Sequence, residues 1–62
     1  MFRVKLYRKT ILIDIFYENS RCDAVYKANK KGKRGDHYFL HEVIPTADGK
    51  YAELQYVEIL KV

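Results

Sequence analysis

The stretch Ser20–Gly35, SRCDAVYKANKKGKRG, separates two β-like halves, and this division limits the fold more than any other feature of the chain. Ser20 followed by Asp23 has the form of a helix N-cap with an acidic residue in the first turn. Cys22, Val25 and Asn29 with the small Ala24 and Ala28 form a narrow apolar stripe, which places Cys22 in the core. Lys30 and Lys31 stand before Gly32, as the end of a helix prefers. The pattern predicts a helix of about three turns. A rival reading makes Arg21–Ala28 a strand, with Cys22, Ala24, Tyr26 and Ala28 alternating, and closes the chain into a five-stranded small β-barrel. The capping pattern favours the helix.

On the N-terminal side, Phe2, Val4 and Leu6 alternate with Arg3, Lys5 and Tyr7, a half-buried strand whose outer face is basic with one aromatic. Arg8-Lys9 is a tight connection, although neither residue suits the positive-φ positions of a two-residue turn. Thr10–Tyr17 is apolar on both faces, with Ile11, Ile13, Ile15 and Tyr17 on one and Leu12 and Phe16 flanking Asp14 on the other. Such a strand is expected in the middle of a sheet or covered on its second side.

On the C-terminal side, Tyr38, Leu40 and Ile44 alternate with His37, Phe39, His41 and Val43. Pro45 closes that strand, and Thr46–Lys50 is a hairpin loop with Gly49 at the left-handed position. In the last strand, Tyr51 to Lys61, the apolar phase passes from Ala52, Leu54 and Tyr56 to Val57 and Ile59, which predicts a bulge near Tyr56-Val57. A C-terminal helix is the competing reading of this segment, because its residues are good helix formers. The expected fold class is α+β, a small antiparallel sheet of about four strands with one short helix, in the order ββαββ.

Residues 1–62 make one domain. A chain of this size hides only about 60% of the surface its unfolded form exposes, and its stability is on the order of 3–9 kcal/mol. Its core leaves little room for an enclosed substrate pocket, so binding by a surface is the expected use. Cys22 is the single cysteine and has no internal partner, which suits a reducing compartment. The first residues, MFRVKLYRKT, lack the apolar segment of a signal peptide. The apolar run Ile11–Tyr17 is interrupted by Asp14 and is far short of a membrane span. A soluble cytoplasmic protein with no membrane partner is expected.

The net charge of +4 hides an asymmetry. Residues 1–34 carry ten Lys or Arg against three Asp or Glu, a net +7, whereas residues 35–62 carry two against five, a net −3. A basic half of this kind suits a phosphate backbone or an acidic protein surface and counts against a DNA mimic, which needs acid throughout.

No pattern for catalysis, a metal or a cofactor stands out, and the chain is expected not to be an enzyme. His37 and His41 lie roughly 13 Å apart if the segment is a strand, too far for both to hold one ion. Cys22 near a helix start, with His37 or His41 as its base, is the nearest approach to a nucleophile, but no further element of such a site is visible.

The chemistry instead gathers in cations and aromatics. Lys27, Lys30, Lys31, Lys33 and Arg34 fall within eight positions around Gly32 and Gly35, and lysine-rich contact of this sort holds phosphates without reading bases. Arg3, Lys5 and Tyr7 extend that surface if the first strand lies on the same side. The first expectation is therefore a basic module that binds the DNA or RNA backbone with weak sequence specificity. The second is a small effector or inhibitor that docks on a larger protein through an exposed strand edge and a tyrosine-rich face. Self-association as a homodimer through an edge strand is compatible with both.

Overall fold

The computed structural model describes residues 1–49 and 51–62, with side chains described outside Pro45 and 51–57. Five elements follow one another: β1 (Phe2–Arg8), β2 (Ile11–Glu18), α1 (Arg21–Lys31), β3 (His37–Pro45) and β4 (Tyr51–Lys61). The strands form one antiparallel sheet in the order β2-β1-β3-β4, with α1 packed across one side. This is the expected α+β ββαββ arrangement. The sheet is open, so the five-stranded barrel does not form, and Arg21–Ala28 is helix instead of its fifth strand.

Helix α1 begins where its cap predicts. The Asp23 amide donates to Ser20 Oγ at 3.1 Å, and the Gly32 amide closes the last turn on the Ala28 carbonyl at 2.8 Å. Ala24 and Ala28 are fully buried, because side chains this small let the helix backbone lie close to β1. Gly32 serves the same approach: a Cβ there would stand 2.7 Å from Val62 Cγ2 and 3.0 Å from the Ala28 oxygen. Val25 packs at the border of the core, but Cys22 is exposed, which corrects the expectation of a core cysteine. A narrow stripe on an eleven-residue helix buries only its central alanines, and Cys22, two residues before Ala24, lies on the opposite, solvent side of the helix.

In the central strands, parity along the chain sorts the residues. Val4 and Leu6 of β1 and Tyr38 and Leu40 of β3 are buried beneath α1 with Phe16 of β2, while Phe2, Leu60 and Val62 pack around them. Burial pushes the Tyr38 phenol above its ordinary pKa.

Strand β2 departs from expectation. It lies at the edge of the sheet instead of its middle, and among the described residues no helix or strand packs on its second face. Register runs Leu6 to Asp14 and then Tyr7 to Leu12, so Ile13 is an extra residue in a bulge. The bulge moves Leu12 to the side of Ile15 and Tyr17 and turns Ile11 to the helix side, exchanging the faces that strict alternation assigned to these two. Ile11, Leu12, Ile13, Ile15 and Tyr17 all remain exposed.

In β4, Glu42 pairs with Tyr56 and Val43 with Leu54, leaving Gln55 as the extra residue. The predicted bulge is therefore present, a residue earlier than its expected place, and the segment is strand instead of C-terminal helix. The predicted apolar phase over Ala52, Leu54, Tyr56 and Val57 lies outside the described side chains, as does Lys50 of the hairpin loop. Ile59, expected on the core phase, is 65% exposed, because Leu60 takes the core side opposite Tyr38. Gly49 has φ of 82° and donates its amide to Thr46, as a left-handed turn position requires.

Candidate nucleic-acid interface

The sheet carries its helix on one side only, and pairing register arranges the other side in three rows running from β2 to β4. Leu12, Tyr7, His37 and Lys61 form the first, Ile15, Lys5, Phe39 and Ile59 the second, and Tyr17, Arg3 and His41 open the third. Odd-numbered residues of β1 and β3 supply the centre, because successive side chains of a strand point to opposite faces.

The aromatic rings form a continuous ladder. Tyr7 and His37 stack with centroids 5.6 Å apart and planes 10° from parallel. Phe39 lies 5.4 Å from Tyr7, 5.9 Å from His37 and 6.3 Å from His41. Tyr7, His37 and Phe39 are each half-buried. Lys5, Arg3 and Lys61 flank the ladder in the same rows.

At the ladder's inner end, Arg3 Nε and His41 Nδ1 are buried without a hydrogen-bond partner among the described residues. Burial and then the charges of Arg3 and Lys5 depress the His41 pKa from its ordinary 6.5. Neutral His41 is thus favoured in the fold, while the unfolded chain takes up a proton at higher pH. Stability is expected to fall as the pH drops below about 6.5 and to stop falling on this account below the folded value. Melting curves between pH 7.5 and 5 measure this, and His41→Gln should flatten them. Asp36 and Asp14 occupy a separate window: their pKa values are held below the ordinary 3.8, so their contribution is present above that value and is lost as the pH falls from it through their lower folded values.

The five cations of the Lys27–Arg34 segment lie elsewhere. Lys27 and Lys31 place their ammonium groups over the Phe16 ring at 5.0 and 5.3 Å, and Lys30 lies over Tyr26 at 5.4 Å. Lys31 also bonds Asp14 at 2.5 Å, and this partner is the largest cause of the lowered Asp14 pKa. These three therefore line the helix side, while Lys33 and Arg34 stand at the end of the sheet. Arg3, Lys5 and Tyr7 face the opposite way, so the structure does not join the two groups into one surface. It joins Arg3, Lys5 and Tyr7 to His37, Phe39 and Lys61, which the sequence reading did not include. The alternation of His37 and Phe39 against Tyr38 and Leu40 carried that signal, and the pairing of β1 with β3 was the missing piece.

Cys22 on the helix and His37 and His41 on the open face are separated by the sheet, so the sulfur and imidazoles do not meet. Phe39 stands between the two histidines, and no three metal-ligating side chains converge among the described residues. No helix of the described residues is long and apolar enough to cross a membrane. The chain matches no protein-family model, no curated protein and no solved structure.

Proposed function

We propose that the chain is a non-enzymatic cytoplasmic module that binds single-stranded nucleic acid on the open face of its sheet. The Tyr7–His37–Phe39 ladder carries this reading. Bases stack on aromatic faces whatever their identity, at about 1–3 kcal/mol per base. Arg3, Lys5 and Lys61 stand in the same rows to meet phosphates, which hold a strand without reading its sequence. A duplex hides its bases between its strands, so stacking favours single strands. Lys27, Lys30 and Lys31 add to the field that draws in a polyanion from a distance.

A second reading rests on β2. Its exposed open-face row of Leu12, Ile15 and Tyr17, with Ile13 in the bulge beside it, suits a larger protein, on which the chain would act as an inhibitor or adaptor. Strand addition at this edge is hindered, because Asp14 Oδ1 already accepts the Ile15 amide at 2.8 Å and Ile13 bulges out of the ladder. Homodimerisation through β2 meets the same obstacle.

Binding of labelled single- and double-stranded DNA and RNA across a salt series tests the first reading. Affinity for single strands is expected to fall linearly in log salt, with a slope of about −2 to −3 for three or four phosphate contacts. Equal affinity for duplex, or no binding at low salt, would sink it and leave the β2 row as the functional surface.

A further inference from the structure

Around the end of the sheet from the aromatic ladder lies an open basin of about 310 Å³, lined by Arg8, Lys9, Lys33, Arg34, Gly35 and Asp36. We infer that this basin takes a terminal phosphate monoester of the bound strand, an inference that rests on the nucleic-acid reading above.

The basin is built around a buried carboxylate. Asp36 is 3% exposed, and its oxygens accept Arg8 Nε at 3.1 Å, Arg8 Nη2 at 3.0 Å and the Lys33 amide at 2.8 Å. The hydrogen bond from Arg8, followed by that from Lys33, holds its carboxyl below the ordinary range. Asp36 therefore fixes the Arg8 guanidinium from behind. Two of the five guanidinium N–H donors are used there, leaving three for an anion. The Asp36 amide bonds the Lys33 carbonyl at 2.9 Å, and its own carbonyl accepts the Val62 amide at 2.9 Å, which pins the loop to the end of β4.

Charge and shape both select a dianion. Four cations face one carboxylate, a surplus of three positive charges, whereas an internal phosphodiester brings a single negative charge. A monoester brings about 1.5 to 2 at pH 7 and three acceptor oxygens. Gly35, at φ of 98°, has nothing within 4 Å of where a side chain would begin, so phosphate oxygens can approach the loop backbone.

Location selects a strand end. Tyr7 and Arg8 are neighbours on β1, as are Asp36 and His37 at the start of β3, and alternation sends Tyr7 and His37 to the ladder and Arg8 toward Asp36 on the helix side. A strand lying along the ladder reaches the basin only by turning over the sheet end. A terminus makes that turn freely, while an internal nucleotide would have to reverse the whole chain.

The test compares short oligothymidylates carrying a 5′-phosphate, a 3′-phosphate or neither, by fluorescence anisotropy at fixed salt. One phosphorylated end is expected to bind about tenfold tighter than the hydroxyl-ended strand, from the added charge-assisted bonds. That ratio should shrink between pH 7.5 and 5.5, as the monoester loses its second charge near pH 6. In Lys33→Ala/Arg34→Ala the ratio should fall to about one, judged against the variant's own affinity for the hydroxyl-ended strand. Equal binding of the three oligonucleotides, or a ratio that survives in the variant, overturns the inference while the stacking reading stands. If no oligonucleotide binds, that reading fails, and titration with inorganic phosphate followed by amide NMR decides the basin: saturable shifts at Lys33 and Gly35 support it, and none overturns it.

Discussion

Leu6→Ala is expected to remove about half of the protein's stability. Leu6 is fully buried between Val4 and Tyr38 on the helix side, and its Cδ1 lies 3.3 Å from where a Gly32 side chain would begin. Truncating a core leucine removes its transfer energy and leaves a cavity, together about 2–5 kcal/mol. That is about half of the roughly 3–9 kcal/mol available to a chain this short. Urea denaturation followed by circular dichroism measures it, with Ile59→Ala as the comparison. Ile59 is an equally large aliphatic residue but 65% exposed, and its loss should change stability by less than about 0.5 kcal/mol. Similar losses for the two would mean that the helix side is not the single core.

The second large effect concerns binding. Tyr7→Ala and Phe39→Ala are each expected to weaken single-strand binding by about 1–3 kcal/mol, roughly 5- to 150-fold, with the salt slope unchanged. Lys5→Ala should instead lower the magnitude of that slope by about 0.7, because it removes one phosphate contact and no ring. Stacking and ionic contributions are thus separable in one series of titrations. Tyr26→Ala is the control, since Tyr26 is 63% exposed on the helix, across the sheet from the ladder. A loss as large in Tyr26→Ala as in Tyr7→Ala would move the site to the helix side. Circular dichroism of each variant checks the fold, because Tyr7 and Phe39 are only half-buried and project away from the core.

Local signals in the chain account for the elements, and distant ones for what was missed. The Ser20 cap, the Gly32 stop and the period-two pattern of Phe2–Tyr7 each act within a few residues, and each is present as read. The edge position of β2 depends on β1 choosing β3 as its second neighbour, a pairing across about thirty-five positions that leaves no local mark. Its bulge at Ile13 was unreadable for a different reason. Ile11-Leu12-Ile13 is apolar at every step, so a slipped phase looks the same as an unslipped one.

The candidate site divides along the same line. Arg3, Lys5 and Tyr7 were visible as one strand face, and Lys33 and Arg34 as part of one charged run. That the sheet would separate these groups, and that Asp36 would bring Arg8 to the loop from 28 positions away, follows only from the assembled fold.

The single-sided helix has a consequence for how such a chain can vary. Over Val4–Tyr7 of β1 and His37–Leu40 of β3 the fold and the proposed ligand are served by alternate residues, so substitutions at Lys5, Tyr7, His37 and Phe39 can drift toward new partners without touching the core. Insertions and deletions have no such freedom. With Phe2 held in place, removing Arg3 would turn Val4 and Leu6 outward and draw Lys5 and Tyr7 beneath the helix. Lineages of this fold would therefore be expected to keep the length of their two central strands while their odd-numbered side chains change.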